Sequence, residues 1–68
     1  MLLTIMNESG HTELVNQTSS QVIDQINDHP SHWVIINGEL TSREMISEVT
    51  WDTVTSVDLI PAIVGGTQ

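Results

Sequence analysis

The first part of the chain shows the residue pattern of two extended segments joined by a turn. Residues 1–6 are apolar and rich in strand formers, and residues 11–15 have the composition of a second strand. Asn7-Glu8-Ser9-Gly10 lies between them and has turn chemistry. The pattern therefore predicts an N-terminal β-hairpin.

The next segment has helical spacing. Thr18 and Gln21 fit a capping box, in which each side chain satisfies a free backbone donor of the first turn. His29-Pro30 predicts the end of the helix, because proline disfavours helical geometry in the residue before it. One face of the predicted helix carries the apolar residues Val22, Ile23 and Ile26.

The second half begins with an apolar run, Trp33-Val34-Ile35-Ile36, that favours a strand. Asn37-Gly38 follows and is a strong hairpin signal, so residues 39–41 are the expected return strand. Residues 50–55 are predicted as a loop or turn, and residues 57–60 as the last strand. The segment 42–49 is ambiguous: Ser42 could cap one helical turn with Met45, Ile46 and Val49 inward and Arg43, Glu44 and Glu48 outward.

This order of elements predicts an α+β domain over residues 1–62, in which a mixed sheet of four to five strands carries one main helix across one face. Residues 63–68 are expected to form a flexible tail, because Gly65 and Gly66 reach backbone angles closed to other residues. Any dipeptide is Gly-Gly only about 0.5% of the time, so the place of this pair near the chain end is its main signal. A frayed, unused terminus is the simpler interpretation.

Size and composition exclude several classes of protein. The chain has 68 residues and no cysteine. A domain of this size has one small core and no room for a deep enzyme pocket. The absence of cysteine excludes disulfides, zinc–thiolate sites and thiol nucleophiles. We therefore expect no enzyme activity from the chain itself.

The charge is strongly acidic. The chain has nine Asp and Glu residues and one Lys or Arg residue, Arg43, and its formal net charge is −8. Nucleic acid is an unfavourable partner for such a chain, whereas a partner with a basic face is favoured. Solubility alone would also explain the charge.

Residues 1–6 lack the features of a signal peptide and no stretch has the length of a membrane span, so we expect a cytoplasmic protein with no membrane partner.

Few other side chains suggest a site. His11, His29 and His32 lack the convergent spacing of metal ligands, so no metal site is predicted. Trp33 is expected in the core or on a sheet face, and Trp51 in a loop as a contact residue. Arg43 could pair with Glu44 or neutralise other carboxylates. The candidates for partner docking near the tail are Trp51, Leu59, Ile60, Ala62, Ile63 and Val64, with core packing as the alternative for Leu59 and Ile60.

With its Gly-Gly end, this order of elements resembles the β-grasp, ubiquitin-like superfamily. From Ile36 to Gly66 the chain is similar to the sulfur carriers of thiamine and molybdopterin synthesis. The matching motifs are Ile36-Asn37, Arg43-Glu44 and Ala62-Ile63-Val64-Gly65-Gly66. The first half matches only in pattern. Sulfur carriers usually stop at the second glycine, whereas this chain continues with Thr67-Gln68. Precursors of ubiquitin-like modifiers and some sulfur carriers of siderophore pathways have such an extension, so it implies processing by a protease in both families.

The resemblance implies two functions. As a bacterial ubiquitin-like modifier, the chain would lose Thr67-Gln68 to a protease, and the Gly66 carboxylate would be adenylated and conjugated to a target, directly or through a conjugating enzyme. As a sulfur carrier for thiamine, molybdopterin or siderophore synthesis, it would instead receive sulfur as a thiocarboxylate and pass it to a synthase. In both cases the chain binds no cofactor, and the partner activating enzyme uses ATP and Mg. The extension favours the modifier and the motif match favours the carrier.

A third interpretation is a non-covalent interaction module with an inert tail. The ubiquitin-like domains of phage tail-assembly proteins are similar to this chain, although those proteins continue well beyond its length. In this class Gly65 and Gly66 would have no chemical role.

Overall fold

A computed structural model describes residues 1–62 and shows an α+β domain with a mixed five-stranded sheet and one main helix, as predicted. The strands are β1 (Leu2–Asn7), β2 (Gly10–Leu14), β3 (His32–Ile36), β4 (Glu39–Thr41) and β5 (Ser56–Pro61). The helix is α1 (Ser19–Asp28), and two short 3₁₀ helices, Arg43–Glu48 and Trp51–Thr53, lie between β4 and β5.

The strand order across the sheet is β2-β1-β5-β3-β4, so the last strand of the chain lies at the centre. β5 runs parallel to β1, and the other neighbouring pairs are antiparallel. The core lies between one face of the sheet and α1, because Val22 and Ile26 of the helix are buried together with apolar residues of the strands. Those strand residues are Leu3, Val34, Ile36, Val57 and Leu59.

The helix begins with the predicted capping box. The Thr18 hydroxyl accepts from the Gln21 N–H at 3.2 Å, and the Gln21 side chain accepts from the Thr18 N–H at 2.9 Å. The helix ends at the predicted place, where the His29 N–H donates to Ile26 O just before Pro30. The local sequence thus sets both ends of α1.

The predicted turn at Asn37-Gly38 is also confirmed. Both residues have positive φ, 52° and 84°, as a type I′ hairpin turn requires. The Asn37 side chain also bonds to the segment that leads into β5, accepting from the Thr55 N–H at 2.9 Å and donating to Thr53 O at 3.2 Å. Asn37 therefore fixes both its own turn and the entry of the central strand.

The ambiguous segment forms the first 3₁₀ helix and not an α-helical turn. Ile46 and Val49 pack against the core as expected. Met45 does not, and its exposure of 49% corrects the inward position predicted for it. Ser42 precedes the helix but makes no capping bond with its side chain, which corrects its predicted role as a cap.

Several predicted elements have slightly different bounds: β1 and β2 are each shifted by one residue, and β3 begins one residue earlier, at His32. β5 begins at Ser56 and ends at Pro61, one residue beyond each predicted end. The predicted loop 50–55 contains the second 3₁₀ helix, followed by the buried Val54.

Within residues 1–62, no helix combines the length and apolar character that a membrane crossing would need.

Candidate functional site

The candidate site lies where β5 ends. Pro61 is still paired with His32 of β3, and the Ala62 N–H donates to Ser31 O at 3.1 Å. The last strand is therefore held to β3 as far as Ala62. The remaining predicted site residues, Ile63, Val64, Gly65, Gly66, Thr67 and Gln68, lie outside the described residues.

A groove of about 750 Å³ opens beside this exit. The first residues of β3 form one wall, and the segment from β4 into the first 3₁₀ helix forms the other. Trp33 and Leu40 supply large apolar surfaces, and Ala62 belongs to the same lining. The chain beyond Ala62 therefore starts next to an apolar recess.

The sheet face opposite α1 carries an exposed apolar surface. Side chains alternate along a strand, so the neighbours of buried Val34 and Leu59 point away from the core. The register places Trp33 beside Ile60, and Ile35 beside Leu40. We call these four residues the outer-face patch. Trp33 is 51% exposed and Leu40 is 63% exposed, and both also line the groove.

Two strand carboxylates lie on this face: Asp58 of β5 near its centre, and Glu13 of β2 at its edge, opposite Thr4 of β1. Asp58 of β5 is half-buried, and its register neighbours are Thr4 of β1 and Ile35 of β3. The same alternation that buries Val57 and Leu59 turns Asp58 outward. A partner that covers the outer-face patch would therefore meet the negative charge of Asp58 directly beside Ile35.

The structure divides the predicted docking residues. Leu59 is fully buried in the core, so it cannot belong to a docking surface. Trp51 is half-buried and packs against the core, so Trp33 is the more exposed of the two tryptophans. Ile60 and Ala62 are half-buried at the exit of β5, where the prediction placed them.

A sequence signal for this division was present. Asp58 is the one polar residue in the apolar segment Val57–Ile60, and it indicates which residues of the strand point away from the core. Residues two positions apart share a face. Ile60 therefore shares the outer face with Asp58, whereas Leu59 shares the core face with Val57.

Arg43 has a different role from either predicted one. Its guanidinium donates to three backbone carbonyls: Nη1 to Ile26 O at 2.8 Å, and Nη2 to His32 O at 2.9 Å and to His29 O. Two of these carbonyls, those of Ile26 and His29, lie at the end of α1, where the helix dipole makes a cation favourable. No carboxylate of residues 1–62 lies within ion-pair distance of Arg43, which corrects the predicted pairing with Glu44.

The histidine rings have local partners. His29 Nδ1 lies 2.7 Å from Gln25 O, and His32 Nε2 lies 3.1 Å from Met6 O. The two rings contact each other edge to face at 4.9 Å between centroids. Among residues 1–62 no group of three or more ligand side chains surrounds a position for a metal ion.

Comparisons of the chain with protein families, with curated proteins and with solved structures found no match.

Proposed function

We propose that the chain has the β-grasp fold and acts as a ubiquitin-like protein modifier that is activated at Gly66. The observation that carries the proposal is the position of β5. It is the central strand, and it ends beside an apolar groove and the outer-face patch. The sequence then continues to Gly65-Gly66, the feature that such modifiers use.

Chain length supports a role for the patch in docking. Gly66 follows Ala62 by four residues. Four extended residues span at most about 14 Å. An enzyme that reacts with Gly66 must therefore approach the exit of β5 closely, and the exposed surfaces of Trp33 and Leu40 are available there for contact. The net charge of −8 and the position of Asp58 favour an enzyme with basic groups around an apolar centre.

The proposed chemistry takes place in the enzyme. A protease cuts after Gly66 and frees its carboxylate. A carboxylate oxygen attacks the α-phosphorus of ATP, pyrophosphate leaves, and an acyl-adenylate forms. A nucleophile then attacks the Gly66 carbonyl and AMP leaves. The chain supplies the reacting carboxylate and the docking surface, and the activating enzyme with its ATP and Mg supplies positioning and electrostatic stabilisation.

The second candidate is a sulfur carrier, which the resemblance of the motifs between Ile36 and Gly66 supports. The same acyl-adenylate would then be attacked by a sulfur donor. The products differ in mass, since a thiocarboxylate carries one sulfur in place of oxygen and a conjugate carries a whole target.

The first prediction concerns the tail. When the chain is expressed together with the genes adjacent to its own, intact mass should show loss of Thr67-Gln68 followed by covalent adducts. Gly66→Ala should abolish the adducts, because it places a Cβ next to the reacting carbonyl, where a slender glycine terminus would enter the enzyme channel. Gln68→Ala is the matched control and should leave them unchanged. A mass gain equal to the replacement of one oxygen by one sulfur would favour the carrier, and a chain that remains intact would overturn both candidates.

The second prediction concerns docking. Leu40 and Val15 are almost equally exposed, at 63% and 64%, but only Leu40 belongs to the outer-face patch. Leu40→Ala should lower the yield of adducts, by about tenfold if Leu40 is a hot-spot residue worth more than 1 kcal/mol. Val15→Ala should leave the yield unchanged. Equal effects of the two substitutions would contradict a docking role for this face.

A further inference from the structure

The two edges of the sheet differ in how open they are. β4 has three residues and ends at Thr41, after which the chain turns into the first 3₁₀ helix. β2 has five residues, contains no proline, and pairs with β1 without a bulge. Native sheets usually protect such an edge by shortness, by proline, by a bulge or by charged side chains. Of these devices β2 has only the charge of Glu13, and residues 10–13 are all exposed.

The register identifies the backbone groups that face outward from this edge. Asn7 and Gly10 close a two-residue loop, so they form a hydrogen-bonded pair. Such pairs alternate along an antiparallel ladder, and Thr12 is therefore also bonded to β1 through its backbone. The N–H and C=O groups of His11 and Glu13 consequently point away from β1, toward the open side.

We propose that β2 pairs with β2 of a second copy of this chain, antiparallel and centred on Thr12. In this register His11 of each copy lies opposite Glu13 of the other, and the outward backbone groups of both residues form four hydrogen bonds across the two-fold axis. Thr12 meets Thr12 of the second copy, which is a favourable cross-strand pair. Neighbouring symmetric registers place His11 opposite His11 or Glu13 opposite Glu13 and lose this complementarity.

The side chains are suited to the pairing. His11 Nε2 lies 3.8 Å from Glu13 Oε2 within one copy, which shows that both side chains occupy the same sheet face. An imidazole N–H donates to a carboxylate whether or not the ring is charged. Of the nine acidic residues, only Glu8 and Glu13 belong to the β1–β2 hairpin. Most of the repelling charge therefore lies outside this hairpin.

The occupant is a second copy because this edge is complementary to itself. A two-fold contact requires that each surface match its own image, and His11 with Glu13 does so. The contact is small and the protein is acidic, so the dimer is weak. This inference uses only residues 1–62 and is independent of any activation of Gly66.

The test is sedimentation velocity over a concentration series up to about 1 mM, the range of a weak complex. The chain should form dimers as concentration rises. His11→Lys should lower the dissociation constant by about fivefold, and His11→Glu should raise it by at least as much, since each dimer contains two altered pairs. The double variant H11E/E13K should return to the original affinity, because a carboxylate at position 11 then faces an ammonium group at position 13. Ser20→Lys and Ser20→Glu, on exposed Ser20 of α1, are controls with the same change of net charge.

A backbone variant separates strand pairing from a general charge effect. Glu13→Pro removes one outward N–H and leaves the bonds between β1 and β2 in place, so it should abolish the dimer while far-ultraviolet circular dichroism stays unchanged. A chain that is monomeric at every concentration would overturn the proposal. The same holds if the His11 variants shift association no more than the Ser20 controls. Association that survives Glu13→Pro would also overturn it.

Discussion

Arg43 joins three backbone carbonyls that belong to the end of α1 and the start of β3. Its partners are 17, 14 and 11 residues away in the sequence. The side chain is exposed, and its guanidinium gives a second donor to Ile26 O and His29 O, which also accept from the backbone N–H groups of His29 and His32. A single surface cation thus fixes the position of the helix end relative to the sheet and forms part of the groove wall.

This network predicts a loss of stability when the guanidinium is removed. Arg43→Met keeps much of the apolar stem and should lower the free energy of unfolding by about 1–2 kcal/mol, because hydrogen bonds from a charged donor are lost but water can replace some of them. Urea denaturation measures the difference. The free energy of unfolding of Arg43→Lys should lie between that of the unsubstituted chain and that of Arg43→Met, since one ammonium group does not reproduce the fork geometry of the guanidinium. Glu44→Gln is the control and should leave the free energy of unfolding unchanged. If Glu44→Gln lowered it as much as Arg43→Met does, an ion pair between Arg43 and Glu44 would explain the loss instead.

The elements differ in how far the sequence reveals them. The capping box at Thr18 and the turn at Asn37-Gly38 involve residues at most three apart, so their patterns could be read directly. The contacts of Arg43 could not, because their partners come together only when α1 packs on the sheet. The run from Trp33 to Ile36 is apolar throughout and gives no alternation, so the sequence left open whether Trp33 lies in the core or on the outer face.

The candidate site shows the same division. The end of β5 near Ala62 was predictable from the strand pattern. The groove was not, because its walls come from β3 and from the segment after β4, and only tertiary packing brings them together. The chemical roles of Gly65 and Gly66 remain a prediction from sequence, since these residues lie outside the described part of the chain.

The cap of α1 gives a prediction at the scale of one element. The helix contributes Val22 and Ile26 to the core, so fraying of its first turn should lower the stability of the whole domain. Thr18→Ala should lower the free energy of unfolding by about 1 kcal/mol, because the Gln21 N–H loses its acceptor. Thr18→Ser keeps the hydroxyl and should be nearly neutral. Thermal unfolding followed by circular dichroism compares the variants, and equal midpoints for Thr18→Ala and Thr18→Ser would show that the cap contributes nothing.

The whole molecule carries a charge of −8 on 68 residues with one cation. Repulsion among these carboxylates destabilises the compact state and is screened by salt, with a Debye length of about 8 Å at physiological ionic strength. Asp58 is half-buried in the sheet, between Thr4 of β1 and Ile35 of the outer-face patch. Its charge adds to the repulsion within the free domain, whereas under the proposed docking it would meet a basic group of the partner.

Asp58→Asn separates these two effects. The substitution keeps the shape of the side chain and removes one negative charge, so it should raise the free energy of unfolding by about 0.5 kcal/mol, a typical size for a surface change, and reduce the gain in stability that added sodium chloride gives. The same variant should lower the yield of covalent adducts, because a basic group of the partner loses its counterion. Asp24→Asn removes an equal charge from an exposed position on α1 and should affect the adducts little. Asp58→Asn could instead raise stability and leave the adduct yield equal to that of Asp24→Asn. That result would show that Asp58 contacts no basic group of the partner, and it would contradict docking at the outer face.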